Sequence, residues 1–381
     1  MNFEGAISQI DNEISVKKED RESYTKDFDK IRNHLLKIME LTDEVFKKIY
    51  GGPSLFGSFL ENMKILAPDE FDVHFLLKLP FYEDIVIQKD ALRPGYVKLL
   101  ISKPLMRMKQ NKDYVMVYEQ FNQFVTSSGH LLRCEIQHWL ERIIIKAFRT
   151  YGNSLPNYDE TDVYKLIYLK RGTAHTIKAF SQSRNISIDF VPAFKFNADK
   201  TWLAERPFPN YVKEKLWFAV PKPSVGPKNG RKLTFSICVP QTEKHLLMGK
   251  YNLKPTLRLM KSMRDRIDSD NCIKSYFIKS IYLHENENQD DEFWMQSPGK
   301  LLIHMLDRLL FCLENKSIEF YWCGSMNLLA SLDDCKTIKL TKTFQRVRNR
   351  LVMFSEQPYV KYTKIRSLFG YATKPIKEEL I

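Results

Sequence analysis

The chain has 381 residues, 44% hydrophobic and 13% aromatic, which excludes a disordered chain and predicts two compact lobes rather than one core. Lys and Arg number 59 against 46 for Asp and Glu, a formal net charge of +13, and this favours a polyanionic partner, either nucleic acid or an acidic membrane surface. Six scattered cysteines, a polar N-terminal segment and the lack of a long apolar run predict a cytoplasmic protein without a membrane span rather than a secreted one.

The first 200 residues carry signals for both helices and strands. Residues 1–20 are polar without a clear period, which predicts a loosely ordered or weakly helical lead. From about residue 24 to residue 50 apolar residues recur at intervals of three and four, which predicts a long amphipathic helix, called the spine helix below, ended by Gly51, Gly52 and Pro53. Residues 71–79 and 186–194 have strand patterns, and residues 130–148 have a helical one. Residues 1–200 are therefore expected to form a core lobe around a mixed β-sheet.

The remaining residues, 201–381, are mostly helical in pattern. A strand is expected over residues 232–238, and Pro255 and Pro298 suit the first turns of helices over residues 256–267 and 300–313. The predicted fold class is thus α+β and bilobed, with a helix-rich C-terminal lobe that closes a nucleotide cleft against the core lobe.

The strongest chemical signal lies in residues 55–77. Gly57 and Ser58 are followed after eleven residues by Glu70-Phe71-Asp72. On a strand, side chains two residues apart point to the same side, so the two carboxylates should converge. Paired carboxylates suit Mg²⁺, which prefers oxygen ligands. A glycine lets the backbone approach phosphates and the serine hydroxyl adds a donor, so a triphosphate is expected beside the metal.

A third acid, Asp189, lies in the apolar strand pattern of residues 186–191, where an isolated carboxylate would be costly. Two-metal phosphoryl transfer needs such a group for the second ion and for the attacking hydroxyl. Gly-Ser alone is not a motif, and an acid-x-acid pair often lies on an exposed strand face, but the combination is uncommon. It predicts a nucleotidyltransferase whose catalytic residues Glu70, Asp72 and Asp189 hold two Mg²⁺ or Mn²⁺ ions.

The run from Gly57 to Pro80, with its Lys-Ile-x-Ala-Pro-x-Glu-Phe-Asp-Val core, resembles the cyclic GMP-AMP synthase-like receptors of the template-independent nucleotidyltransferases. Residues 170–172 resemble the basic hairpin before the third acid, and residues 186–193 resemble the strand that carries it. The resemblance implies an enzyme that joins ATP and GTP into a cyclic dinucleotide. The product would be a second messenger in innate immunity, and a nucleic acid would switch the enzyme on.

The resemblance also extends into the second lobe, where it implies nucleotide contacts. Residues 232–236 resemble a stretch that approaches the nucleotides, residues 257–261 resemble a helix whose lysine contacts the donor triphosphate, and Ser275-Tyr276 resembles a pair that binds phosphate and stacks on a base. With the Gly-Ser pair, the expected nucleotide-binding residues are Gly57, Ser58, Lys232, Lys261, Ser275, Tyr276 and Lys279.

One departure from the family pattern concerns zinc. Vertebrate members carry a zinc-binding insertion that grips double-stranded DNA, but residues 236–261 contain only Cys238 and His245 as soft ligands. We therefore expect no structural zinc, and double-stranded RNA rather than DNA as the activator, with a dimer formed on the activator as a further expectation. Because RNA duplexes are read through phosphates and 2′-hydroxyls, scattered basic residues suffice. The expected contacts are Lys26, Lys47, Lys48, Lys170, Arg171, Arg231 and Lys250.

Two other functions remain open at this point. An RNA-end-extending nucleotidyltransferase would use RNA as substrate instead of activator, and a catalytically silent member would keep the fold as a binding scaffold. The intact set of three acids argues against the scaffold.

Overall fold

A computed structural model of the chain describes residues 1–61, 63–224 and 230–370. Its helices are α1 (Phe3–Ile14), α2 (Lys18–Thr42), α3 (Glu44–Ile49), α4 (Gly57–Leu60), α5 (Ser102–Gln110), α6 (Val115–Asn122), α7 (Arg133–Tyr151), α8 (Ala198–Thr201), α9 (Pro240–Leu246), α10 (Leu253–Ile267), α11 (Ser275–Asn288), α12 (Pro298–Glu314), α13 (Asp334–Ser355) and α14 (Tyr362–Arg366). Its strands are β1 (Tyr50–Phe56), β2 (Glu70–Leu77), β3 (Val86–Lys89), β4 (Tyr96–Leu100), β5 (Ser154–Pro156), β6 (Val163–Arg171), β7 (Ala174–Phe180), β8 (Asn185–Asn197), β9 (Leu216–Val220), β10 (Phe235–Cys238), β11 (Glu319–Phe320) and β12 (Cys323–Asn327). None of the helices in the described ranges combines the length and the apolar character that a membrane crossing requires.

The chain divides into two compact units. The first comprises residues 1–17, residues 61–68 and the described residues from Glu243 on, and the second comprises residues 18–60 and 69–242. The sequence suggested a boundary near residue 200, but residues 201–242 fall in the second unit. The physical reason is strand pairing between distant segments, because β9 pairs with β8, and β10 pairs with both β9 and β4.

A mixed sheet of ten strands organises the second unit, within the part of the chain that the structure describes. The strand order is β3-β4-β10-β9-β8-β7-β6-β5, with β2 paired to both β1 and β8. Strands β2 and β8 run parallel, from Glu70 opposite Ser187 to Leu76 opposite Ala193. The predicted strands over residues 71–79 and 186–194 are confirmed as β2 and β8. The strand expected from residue 232 begins only at Phe235, because residues 231–233 form a short 3-10 helix. Together with the helical first unit, this confirms the predicted α+β class.

The predicted spine helix is confirmed as α2, with differences at both ends. It begins earlier, at Lys18, and ends at Thr42. The Asp43 carboxylate accepts a hydrogen bond from the Phe46 amide at 2.7 Å and so caps a separate helix, α3. The Gly-Gly-Pro segment expected to end the helix lies instead within strand β1.

The N-terminal segment is a well-formed helix, which corrects the expectation of a loosely ordered or weakly helical lead. Helix α1 buries Phe3, Ile7, Ile10 and Ile14, a spacing of three and four residues, and it packs against α10 and α12. The Asn2 side chain caps it by accepting a hydrogen bond from the Gly5 amide at 2.8 Å. The polar residues on the opposite face concealed this short apolar stripe.

A buried carboxylate fixes the spine helix to the sheet. Asp27 on α2 is fully buried and accepts hydrogen bonds from the Tyr164 hydroxyl at 2.8 Å and from the Tyr158 amide at 2.7 Å. It also pairs with the Arg184 guanidinium at 3.2 Å. This one side chain therefore connects α2 to β6 and to the turn that precedes β8.

Replacing Asp27 with alanine is expected to lower the free energy of unfolding by about 3–5 kcal/mol, because it leaves a buried hydroxyl and a guanidinium without their partner. Urea denaturation would measure this loss. The matched control is Asp29→Ala on the same helix, whose half-exposed pair with Arg32 should contribute at most about 1 kcal/mol. Equal losses in both variants would contradict the anchoring role of Asp27.

Candidate active site

The Gly57-Ser58 pair begins helix α4 directly after strand β1. Because β1 and β2 are antiparallel with Phe56 opposite Asp72, the chain brings Gly57 against the Asp72 carboxyl group. Gly57 has a φ of +85°, and a Cβ placed on it would lie 2.9 Å from Asp72 Cγ and closer still to Oδ2. Only glycine fits both the backbone conformation and this contact.

The three predicted acids lie on adjoining strands. Glu70 and Asp72 are two residues apart on β2, while Phe71 and Val73 between and after them are buried on the other face. The parallel register places Asp189 of β8 directly opposite Asp72, and neighbouring strands lie about 4.8 Å apart. The structure therefore brings all three carboxyl groups to one face of the β2–β8 pair.

Asp189 is held by a residue that the sequence analysis missed. Thr176 is fully buried on β7, and its hydroxyl donates a hydrogen bond to Asp189 Oδ1 at 2.6 Å. The register of the β7–β8 hairpin could have identified Thr176, because Thr176 and Asp189 are equidistant from the turn and therefore pair. Burial raises the pKa of Asp189 above its ordinary value, and the Glu70 carboxylate raises it further, whereas Thr176 and Arg171 oppose the rise.

The three carboxyl groups fit a divalent cation whose coordination is completed by substrate phosphate. Among the described residues, no group of three or more His, Cys, Asp or Glu side chains is arranged to hold a metal ion by itself. Mg²⁺ usually takes one or two carboxylates together with substrate phosphates and water, so a complete protein cage is not required. Burial and, to a smaller extent, the Glu70 carboxylate disfavour the charged form of Asp189 and raise its pKa, and a bound cation would offset both effects.

Lys261, the expected triphosphate lysine, lies on α10 in the first unit. Its side chain is buried, and its ammonium donates a hydrogen bond to the Met63 carbonyl at 2.8 Å. Burial lowers the pKa of Lys261 to about 8, and the nearby Lys64 and Arg264 contribute to the lowering. This lysine can therefore change its charge in the physiological to mildly alkaline range.

The other three expected nucleotide residues of the first unit lie at the start of α11. Ser275 is exposed, and its Oγ accepts a hydrogen bond from Arg264 at 3.2 Å. The Lys279 ammonium lies between two buried carboxylates, 2.8 Å from Glu61 and 2.9 Å from Glu243. The Tyr276 hydroxyl also donates to Glu243, at 2.8 Å.

The pairing of Lys279 changes what a phosphate contact there would require. Burial alone would lower the pKa of Lys279, but Glu243 and Glu61 raise it above its ordinary value. The lysine is thus charged, with its charge offset by two carboxylates, and a triphosphate would compete with them for it. Sequence reasoning missed both glutamates, because Glu61 and Lys279 are 218 positions apart.

The residues expected to bind RNA are dispersed, and several have partners. Lys47, Lys170 and Lys250 pair with Glu44, Glu141 and Asp291, while Lys26 and Lys48 lie over the rings of Tyr158 and Tyr114. Arg171 is exposed at the end of β6, and Arg231 and the nucleotide candidate Lys232 lie in the 3-10 helix before β10. Lys250 belongs to the first unit and the others to the second.

Comparison with known proteins decides the family. Residues 59–249 match the Mab-21 protein nucleotidyltransferase domain, and residues 252–348 match the Mab-21 protein HhH/H2TH-like domain. The chain belongs to the Mab-21 nucleotidyltransferase family. The first matched range contains Glu70, Asp72 and Asp189, and it begins just after the Gly-Ser pair.

Several similar proteins come from Drosophila. The cyclic GMP-AMP synthase-like protein of Drosophila melanogaster is 32% identical over 86% of this chain and 87% of its own. Cyclic GMP-AMP synthase-like receptor 1 of the same species is 29% identical over 91% of both chains. The cyclic GMP-AMP synthase-like receptor of Drosophila eugracilis is 31% identical over 97% of this chain and 96% of its own. The chain is thus a nucleotidyltransferase of the cyclic GMP-AMP synthase-like receptor family.

Proposed function

We propose that this Mab-21 nucleotidyltransferase joins ATP and GTP into a cyclic dinucleotide, acting in the cytoplasm as an innate immune receptor that long double-stranded RNA switches on. The observation that carries the proposal is the parallel register that sets Asp189 beside Asp72, with Glu70 on the same face. The relatives named as cyclic GMP-AMP synthase-like receptors support the choice of product class. The net charge of +13 supports a polyanionic activator.

Each residue at this face has a defined task in the proposed reaction. Glu70, Asp72 and Asp189 would hold two divalent ions, which when bound neutralise phosphoryl charge and favour ionisation of the attacking hydroxyl. Thr176 keeps the Asp189 carboxyl group in one orientation. Gly57 and Ser58 would offer backbone and hydroxyl donors to the donor phosphates.

The proposed reaction is a nucleotidyl transfer in two rounds. The ribose hydroxyl of one nucleotide attacks the α-phosphorus of the other, Asp189 accepts the hydroxyl proton, and pyrophosphate leaves as the new phosphodiester bond forms. A second round closes the ring and releases a second pyrophosphate. Catalysis then consists of positioning and charge neutralisation.

Turnover of ATP and GTP with Mg²⁺, with and without long double-stranded RNA, tests this function directly. We expect a small cyclic product, unchanged RNA, and activity that depends on the RNA. Labelled, lengthened RNA would instead identify an RNA-end-extending enzyme. No consumption of nucleotide under any condition would indicate a binding scaffold.

ATP binding is expected to take up a proton through Lys261. With its pKa lowered to about 8, this lysine is mostly neutral at pH 9, and a bound triphosphate would restore its charge by raising the pKa. Uptake should be about 0.9 proton per ATP at pH 9 and about 0.1 at pH 7. Calorimetry in buffers of different ionisation enthalpy measures it. In the control Lys261→Arg, which stays charged, the uptake should disappear; unchanged uptake would show that another group is responsible.

RNA affinity is expected to depend steeply on salt. If 6–10 phosphates are contacted, the affinity for a long RNA duplex should fall by roughly 10³–10⁵ between 50 and 200 mM salt. Fluorescence anisotropy over that range measures the slope. Substituting Arg171, which is exposed at the β6–β7 turn, should reduce the slope of log affinity against log salt concentration by about one. An RNA affinity of the wild type that did not change with salt would contradict electrostatic binding of the activator.

A further inference from the structure

A cavity of about 400 Å³ opens in the second unit where strands β2 and β8 separate. Their parallel pairing ends at Leu76 opposite Ala193, and β8 then pairs with β9 from Phe194 onward. Crevices of this kind, beyond the carboxyl ends of strands that part, are common ligand sites in sheets. The volume lies within the range of small-molecule pockets.

The cavity is distant from the three acids. Asp72 lies six residues before Lys78, which directly follows β2, a separation of roughly 20 Å for extended chain. The acids are at the beginning of the parallel pair, whereas the cavity is at its end. A ligand there would therefore not occupy the metal site.

Charge and shape restrict the class of ligand. Lys78, directly after β2, and Lys195 on β8 have exposed side chains, and none of the lining residues in the described chain is Asp or Glu. Neither lysine forms an ion pair among the described residues. Two uncompensated ammonium groups at one cavity favour a phosphate-bearing anion.

The rest of the lining suits a planar aromatic group. Tyr82 is 40% exposed and lies beside Lys78, whose ammonium is 5.4 Å from its ring centroid. Leu76 of β2 and Leu216 of β9, both partly buried, provide apolar lining. A base stacked on Tyr82 would leave its phosphates within reach of the lysines, since aromatic rings and bases stack favourably.

We propose that this cavity is a second nucleotide site, independent of metal and separate from the three acids. Because no carboxylate of the described chain lines it, its occupant would be an effector and not a substrate. A nucleotide there would contact both β2 and β8, the strands that carry the acids. The proposal stands on the cavity alone and does not depend on the cyclic dinucleotide product.

Calorimetric titration of the full chain with ATP in EDTA tests the site, because EDTA removes metal-dependent binding at the acids. The variant Lys78→Met with Lys195→Met should bind ATP at least about tenfold more weakly than the wild type, since it loses two charge-assisted contacts. The matched control, Lys146→Met with Lys165→Met, removes two exposed lysines of the same unit outside the cavity and should bind as the wild type does. Glu70→Gln with Asp72→Asn should also bind as the wild type does.

Three results would overturn the proposal: no ATP binding in EDTA, binding that survives the loss of Lys78 and Lys195, or equal weakening in the control pair. Photolabelling with 8-azido-ATP in EDTA gives a second readout, and the label should appear on the tryptic peptide 79–89, which contains Tyr82. Labelling confined to other peptides would also contradict it. Neither readout needs turnover, so a failure of the proposed enzymatic function would be recognised separately.

Discussion

Replacing Asp72 with asparagine is expected to reduce turnover of ATP and GTP by at least about 10³-fold. Asp72 is two residues from Glu70 on its own strand and directly opposite Asp189 on the neighbouring strand, so it is the acid placed to contact both proposed ions. Losing a charged ligand of a two-metal site removes several kcal/mol of transition-state stabilisation, and each 1.36 kcal/mol corresponds to a factor of ten in rate. Steady-state kinetics at saturating Mg²⁺ would measure the loss.

The stability of the Asp72→Asn variant separates a catalytic from a structural role. Removing one of three neighbouring negative charges relieves repulsion, so the melting temperature in the absence of metal should be unchanged or higher. The matched control is Asp199→Asn, whose exposed carboxylate pairs with Lys215 in the same unit, and it should keep wild-type activity. A variant at Asp72 that remained active, or one that lost activity only through unfolding, would contradict the assignment.

Replacing Gly57 with alanine is expected to reduce activity by about 10²-fold or more. The new Cβ would collide with the Asp72 carboxyl group and force it to move, and a displacement of about 1 Å at a reacting centre can cost about 10²-fold in rate. The positive φ adds a backbone cost of about 1–3 kcal/mol to folding. Kinetics and urea denaturation on the same preparation would measure both effects.

Gly52 provides the matched control for Gly57. It also has a positive φ, +93°, but a Cβ placed on it meets nothing within 4 Å. Gly52→Ala should therefore carry a similar backbone cost and retain its activity. Equal activity losses in the two variants would show that general strain, not displacement of Asp72, explains the effect.

The parts of the fold that depend on local pattern were predictable from the sequence. Alternation over β2 and apolar clustering over β8 identified both strands, and Pro298 marked the first residue of α12. The same alternation placed Glu70 and Asp72 on one face. Helix α1 was missed because its apolar stripe is short and its other side is polar.

The parts that depend on pairing between distant segments could not be predicted. Nothing local indicates that β9 and β10 complete the sheet of the second unit, so residues 201–242 were assigned to the other lobe. The ion pairs of Lys279 with Glu61 and Glu243 likewise join residues that are distant in the sequence. The position of Thr176 was not predicted but could have been. Counting outward from the β7–β8 turn would have placed it opposite Asp189.

We expect Glu70, Asp72 and Asp189 to bind two divalent ions together with a triphosphate. Crystals grown with Mn²⁺ and a non-hydrolysable ATP analogue, with anomalous scattering recorded for manganese, test it most directly. Two manganese peaks about 3.5–4 Å apart are expected, contacted by carboxylate oxygens of all three acids. Manganese bound elsewhere, or a loaded site in which Asp189 contacts no metal, would contradict it.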